Sequence, residues 1–407
     1  MAQLNNAVGI SFGPFSLLQI VRSHLLLALL ALIAWQIVRD RNLISRIPLA
    51  AAGALAVLAM ACTKEIITTG TLSVQSVGAY GQMSYWVIFW ITASILISDT
   101  DGAEILLRGF AAGAAVTAAC VVVGFVHGGL NYYADDSVRS SSGWFDTAKY
   151  ITGLLVCGTI TLLYLGRKRD GWLYPALAGL CCIACILTYA RAGAVALTAV
   201  LVWFIFWWFF LGRDVRRKWL TRFLLLITLG AAVAPVFIHP DVLLARWSDL
   251  QDPDEAGSGR ASFWKIAADH YIDGTPAQQA LGSGFDAMAQ MLYTETGSDI
   301  KHCHNDLLDM ALVGGAVGIG WFFFMVGSFV LRISQLSLTS VEGAAAAAVL
   351  LAYVLHGQLT GQLWSPDAMA YNTVVLTCMT YTAGRGAVPS PLRLMTSVPQ
   401  VNEAITR

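Results

Sequence analysis

Eleven apolar runs of 16 to 27 residues punctuate the chain, near 14–38, 46–63, 80–98, 104–127, 147–165, 172–190, 192–211, 219–238, 305–331, 342–357 and 369–384. A helix rising 1.5 Å per residue needs about 20 such residues to cross roughly 30 Å of hydrocarbon. Inside lipid only a helix or a closed barrel satisfies every backbone polar group. Only 12% of the 407 residues are charged and mean hydropathy is +0.65, against about 25% charged residues in a soluble domain. The expected fold is therefore an all-α polytopic membrane protein of roughly 11–12 transmembrane helices, with one long extramembrane loop carrying short amphipathic helices. The count turns on residues 7–38, where Arg22, Ser23 and His24 interrupt the run. That stretch holds either one span or a half-helix plus a span. The first residues lack a basic leader, so the first run is expected to stay in the mature chain.

Net charge is +0, which excludes a bulk nucleic-acid binder as the default reading. The placement of each sign is more informative. Arg39, Arg41 and Arg46 share one connection, Arg167, Lys168 and Arg169 another, and Arg213, Arg216, Arg217 and Lys218 a third. Arg332 and the tail residues Arg385, Arg393 and Arg407 complete the set. Strict alternation puts all of them on one side, the cytoplasmic side by the bias of basic loops. The expected organisation is 1–238 with about eight spans, a long loop 239–304 on the side opposite the cytoplasm, about three further spans in 305–390, and a cytoplasmic tail 391–407. Cys120, Cys157, Cys181, Cys182, Cys185 and Cys378 lie inside apolar runs, where cysteine behaves as a small hydrophobe. Neither a disulfide framework nor a metal site is expected from them.

The long segment 239–304 opens on turn formers, Asp249 to Gly259. From Arg260, apolar residues at helical spacing (Phe263, Ile266, Ala267, Tyr271) predict a helix ending near Asp273-Gly274, lying on the membrane surface or capping a cavity. Pro276 and Gly282-Ser-Gly284 read as a second break, and Phe285 to Tyr293 as another short helix.

Three places carry residues able to do chemistry. Arg191 sits between two runs with almost no loop, where an arginine on the membrane rim is costly unless solvated or paired. It is either a snorkelling anchor or a ligand-binding group. Arg260 follows Gly257-Ser-Gly259 at a predicted helix start, a place suited to a phosphate, or is a solvated surface arginine. His302 and His304 bracket Cys303, and no third ligand is evident for a metal. An imidazole there is either structural or a general base. Asn305, Asp306 and Asp309 suit a first helical turn, so the helix is expected to start near His304. Two residues within a helix diverge by about 200°, and His302 is then expected to point away from the place that His304 faces. Gly314, Gly315 and Gly318 offer a small face for close helix packing. No Walker loop, dinucleotide fingerprint or nucleophile elbow is present.

Together these residues resemble one family. Arg191 before a span, Gly259-Arg260 followed by Trp264 and by Leu281-Gly-Ser-Gly-Phe285, and His304-Asn305 ahead of a Gly-x-x-Gly helix are similar to the O-antigen ligase and O-antigen polymerase superfamily. The resemblance is strongest over 185–330, with Ala192 standing where the family often has glycine. It implies a bacterial inner-membrane glycosyltransferase, metal-independent, inverting and without a cofactor, acting on the periplasmic side. The donor would be a glycan on undecaprenyl diphosphate. The acceptor would be lipid A–core, in a ligase, or a second lipid-linked glycan, in a polymerase. It makes His304 the catalytic base, Arg191 and Arg260 the pyrophosphate ligands, and Asn305 and His302 supporting residues. The alternative from another class is a transporter or flippase for lipid-linked oligosaccharide. Such proteins usually carry inverted repeats and paired broken helices, and the sequence shows neither.

Overall fold

A computed structural model describes residues 11–12, 15–16, 28, 30–97, 100–128, 130–132, 138–140, 148–167, 171–188, 190–211, 222–224, 226–227, 260–297 and 301–387. The expected run at 219–238, the loop 249–259 and the tail 391–407 lie largely or wholly outside the described residues. Helices dominate. They are α1 (Leu30–Arg39), α2 (Leu49–Thr69), α3 (Val74–Leu96), α4 (Thr100–Gly128), α5 (Ala148–Gly166), α6 (Leu173–Leu187) and α7 (Arg191–Phe206). After them come α8 (Arg260–Ile272), α9 (Pro276–Leu281), α10 (Phe285–Thr296), α11 (Asp306–Ser334), α12 (Val341–Thr360) and α13 (Pro366–Ala387). Two hairpins of two- and three-residue strands are the only extended pairs among the described residues. The all-α polytopic membrane fold holds, and five of the described helices are long and apolar enough to cross a membrane.

The helix ends follow local chemistry. Ser73 and Ser340 cap α3 and α12 by accepting from the Ser76 and Gly343 amides, at 3.1 Å each. Thr275 and Gln278 form a reciprocal capping box around Pro276. Pro276 thus opens a helix where a break was expected, because a proline at the first helical position loses no hydrogen bond.

Tryptophans tie the bundle together. Trp86 donates to the Leu363 carbonyl at 3.1 Å, Trp90 to Thr377 Oγ1 at 2.9 Å, and Trp321 to the Ala50 carbonyl at 2.8 Å. All three are buried, so each indole contributes apolar area while its N–H stays paired. Alternation of helices sends Arg46, Arg167 and Arg332 to one end of the bundle and the Arg191, Asn305 and Thr360 helix ends to the other.

α11 is not one straight helix. Gly315 adopts φ 62°, ψ −151° and kinks it. The kink frees the carbonyls of Leu312 and Val313, and the loop between α9 and α10 takes them: Ser283 N donates at 2.6 Å and Gly284 N at 3.3 Å. The close-packing face expected at Gly314, Gly315 and Gly318 is therefore largely a hinge in the chain, filled by the loop between α9 and α10. Gly282 (φ +75°) sits against the Val313 carbonyl with no room for a Cβ.

Gly282→Ala should therefore destabilise the fold by about 2 to 4 kcal/mol, from the strained φ and the displaced carbonyl together. A thermal melt of purified protein in detergent should fall by several degrees. An unchanged melt would mean that the α9–α11 junction is looser than described.

Candidate functional site

The last four carbonyls of a helix have no partner within it. α12 ends inside protein, and each of its four is met. Gly361, in the left-handed region at φ 67°, turns the chain so that its own N–H reaches the Gly357 carbonyl at 2.9 Å. Asn305 Nδ2 donates to the Gln358 carbonyl at 3.1 Å. Arg260 Nη1 donates to the Leu359 carbonyl. His304 Nδ1 lies 3.3 Å from the Thr360 carbonyl. Three residues singled out from the sequence thus converge on three consecutive backbone oxygens.

The partner fixes the chemistry of His304. A carbonyl only accepts, so Nδ1 carries the proton and the Nε2 lone pair is the basic atom. The backbone holds the ring in place by an unusual route: His304 has φ 57°, the only positive φ outside glycine among the described residues. Its amide donates to His302 Nδ1 at 3.2 Å. The helix itself begins later, at Asp306, with Asn305 Oδ1 accepting from the Leu307 and Leu308 amides at 3.0 and 3.1 Å. His302 and His304 consequently do not diverge. Their rings meet edge to face with centroids 4.1 Å apart. The expectation that His302 points away fails because residue 304 is left-handed rather than helical.

Asp309 braces this turn from below. Fully buried, it accepts from the Cys303 amide at 2.7 Å and from Trp364 Nε1 at 3.0 Å, and lies 3.5 Å from His302 Nδ1. His302 Nδ1 cannot both donate to Asp309 and accept from His304, and the shorter contact is the backbone one. Trp364 in turn packs against Phe285 at 4.8 Å. Phe285 N donates to Tyr80 Oη at 3.1 Å, and Tyr80 donates to buried Glu65 at 2.8 Å. The Gly-Ser-Gly-Phe motif is thereby fixed to α2, α3 and the histidine turn. α8 places Arg260, and its inward stripe of Phe263, Trp264, Ala267 and Tyr271 packs on the bundle, with Trp264 Nε1 donating to the Cys303 carbonyl at 3.0 Å.

Arg191 is the first residue of α7. It reaches the same region by packing. Two residues on, Gly193 lies flush against Thr152 of α5. Thr152 Oγ1 pairs with His356 Nε2 at 2.8 Å, and His356 Nδ1 lies 2.9 Å from Thr360 Oγ1. Gln362 also meets His356 and receives Asn372 Nδ2 at 2.7 Å. This buried polar chain fastens α5, α12 and α13 around the carbonyl row. Sequence reading passed over His356, although an ionisable residue inside an apolar run is a signal in itself. It also passed over Trp364 and Gly361, and read Asp309 only as a first-turn acid, because their roles exist only once distant segments meet.

Among the described residues no group of three or more His, Cys, Asp or Glu is arranged to hold a metal. Residues 176–323 match the family model for O-antigen ligase, a stretch running from α6 into α11 and taking in Arg191, Arg260, His302, His304 and Asn305. Comparison with curated proteins gives no match.

Burial pushes the Cys303 thiol up, and the neighbouring Asp309 carboxylate pushes it further. The thiolate is the reactive form, so Cys303 should resist alkylation at neutral pH. Asp309→Ala leaves the Cys303 amide and the Trp364 indole N–H unpaired, at a cost of about 2 to 4 kcal/mol. Peptide-level mass spectrometry after maleimide treatment should then show Cys303 labelled much faster than in the parent protein. Equal labelling would show that Asp309 does not hold this turn closed.

Proposed function

The match over residues 176–323 supports membership of the O-antigen ligase and polymerase superfamily, and from that premise we propose that the chain is a glycosyltransferase of the bacterial inner membrane. It moves a glycan from undecaprenyl diphosphate to a sugar hydroxyl on lipid A–core or on a second lipid-linked glycan. The end of the bundle bearing His304 faces the periplasm, and the end bearing Arg46, Arg167 and Arg332 faces the cytoplasm, in keeping with the bias of basic loops. Residues 1–238 and 305–390 are the two membrane portions, 239–304 the periplasmic loop and 391–407 the cytoplasmic tail.

The observation that carries this reading is the anchoring of Arg260, His304 and Asn305 to consecutive carbonyls of α12. It sets a cation and a base of defined tautomer side by side on a fixed row. The acceptor hydroxyl attacks C1 of the donor sugar from the face opposite the diphosphate. As the new C1–O bond forms, His304 Nε2 takes the hydroxyl proton. The C1–O bond to the diphosphate breaks with its electron pair, and C1 inverts. Negative charge grows on the leaving group, and Arg191 and Arg260 supply planar forks that match phosphate oxygens. Arg260 donates through Nη1 to the Leu359 carbonyl, which orients the guanidinium plane. His302 acts through the backbone of His304, as a positioning residue.

Two arginines in this role leave no need for a divalent cation. Transfer by purified protein in detergent should survive excess chelator, and loss with EDTA that magnesium restores would overturn the charge assignment.

His304→Ala should lower transfer by about 10²- to 10⁴-fold, the usual worth of a general base, while lipid-linked donor still binds. His302→Ala should cost about two- to tenfold, one hydrogen bond's worth. Arg191→Lys and Arg260→Lys should weaken donor binding at matched expression. Near-normal transfer in both lysine variants would return the arginines to an anchoring role. In a deletion strain, unattached polymer on the lipid carrier identifies a ligase, and single repeat units identify a polymerase.

A further inference from the structure

At the end of the bundle opposite His304, α2, α3, α11 and α13 leave a cavity of about 740 Å³. Its wall includes Arg46, Arg332, Gln335, Trp90 and Phe324. Neither arginine forms an ion pair or hydrogen bond with another described residue. Four of the hydroxyls that line the cavity are committed to the helices that carry them. Ser94 donates to the Trp90 carbonyl at 2.9 Å, Ser328 to Met325 at 2.7 Å, Thr377 to Thr373 at 2.7 Å and Thr380 to Leu376 at 2.8 Å. What these four leave for a ligand includes two guanidinium groups and the Gln335 amide. The N-terminus of α2, where Pro48 gives no side-chain cap, adds positive potential from the same wall. This is a donor set for an anion.

The anion has an apolar body. Along the cavity wall, Leu49 is 77% exposed and Phe324 49%. On α11, Phe324 lies eight residues before Arg332, about 12 Å deeper at 1.5 Å per residue. A free inorganic anion would leave that surface unused, whereas a lipid uses both, with phosphate at the cations and acyl chains along the apolar wall. Simple snorkelling accounts for arginines on a convex rim, but these two line a concavity of the size that small ligands occupy. We propose that this cavity binds the phosphate headgroup of an anionic phospholipid, with its acyl chains laid against Leu49 and Phe324. The proposal stands independently of the glycosyl-transfer reading, since it involves no residue of the His304 end.

The test is native mass spectrometry of the full chain, purified in neutral detergent and titrated with phosphatidylglycerol, phosphatidylcholine or inorganic phosphate. The parent protein should retain one phosphatidylglycerol at concentrations where phosphatidylcholine is lost, and millimolar phosphate should not displace it. Arg46→Gln combined with Arg332→Gln should weaken phosphatidylglycerol retention about tenfold or more, given the contribution of each basic residue near a lipid surface. Equal retention by parent and double variant, or no preference between the two lipids, overturns the proposal. Displacement by inorganic phosphate alone also overturns it, because the apolar wall then contributes nothing. Both proteins are melted in phosphatidylcholine, and if the double variant melts lower the two single variants make the same comparison.

Discussion

The last turn of α12 is the constraint on which the rest of this end depends. A helix that stops in water leaves its final carbonyls to solvent. One that stops within a membrane protein must have them met by protein, at a cost of several kcal/mol for each that is missed in an apolar setting. Gly361 closes the turn on itself, and the remaining three oxygens recruit Asn305, Arg260 and His304 from two other parts of the chain. The negative end of the helix dipole also faces Arg260, which favours a guanidinium at this place. A backbone dipole orients the cation while leaving its formal charge intact.

Rigidity comes from how the row is backed. His356 pairs with Thr152 and Thr360, and Gln362 with Asn372, so the end of α12 cannot shift without breaking buried polar contacts to α5 and α13. On the other flank the kink at Gly315 exposes two carbonyls, and the Ser283 and Gly284 amides donate to them. Asp309, Trp364, Phe285, Tyr80 and Glu65 continue that join as an unbroken series of contacts. The segment carrying α8, α9 and α10 is therefore built into the bundle. The glycosyl transfer proposed above calls for preorganised donors and a preorganised base, and this backing would hold them.

How much of this was legible in the sequence follows from the range of the interactions. Apolar length is a local property, and the runs at 46–63, 104–127, 147–165 and 305–331 correspond to Leu49–Thr69, Thr100–Gly128, Ala148–Gly166 and Asp306–Ser334. The helix starting at Arg260 was equally plain from its spacing. The kink at Gly315 was not, because three glycines near one another read the same whether they pack a helix or break it. The difference lies in Gly282, over thirty residues away in sequence, which needs the space. Likewise Asp309 reads as an ordinary first-turn acid, until Trp364 and Cys303 arrive to occupy its two oxygens. His302 was misoriented for a different reason. Pattern predicts helical or extended backbone, and the left-handed residue at His304 is neither.

That left-handed residue is also where strain and chemistry meet. A non-glycine φ of 57° costs roughly 1–2 kcal/mol and persists only when its surroundings over-determine it. Here His302 receives the amide and Asp309 fixes the preceding residue's N–H, while Asn305 begins the helix at once. An ordinary helical residue at 304 would turn the imidazole by about 100° per position along the helix, away from the Thr360 carbonyl. With that tether lost, Nδ1 would no longer be held as a donor to the Thr360 carbonyl. The strained backbone therefore does more than place a histidine: it decides which nitrogen is basic, by bringing the other against an atom that can only accept.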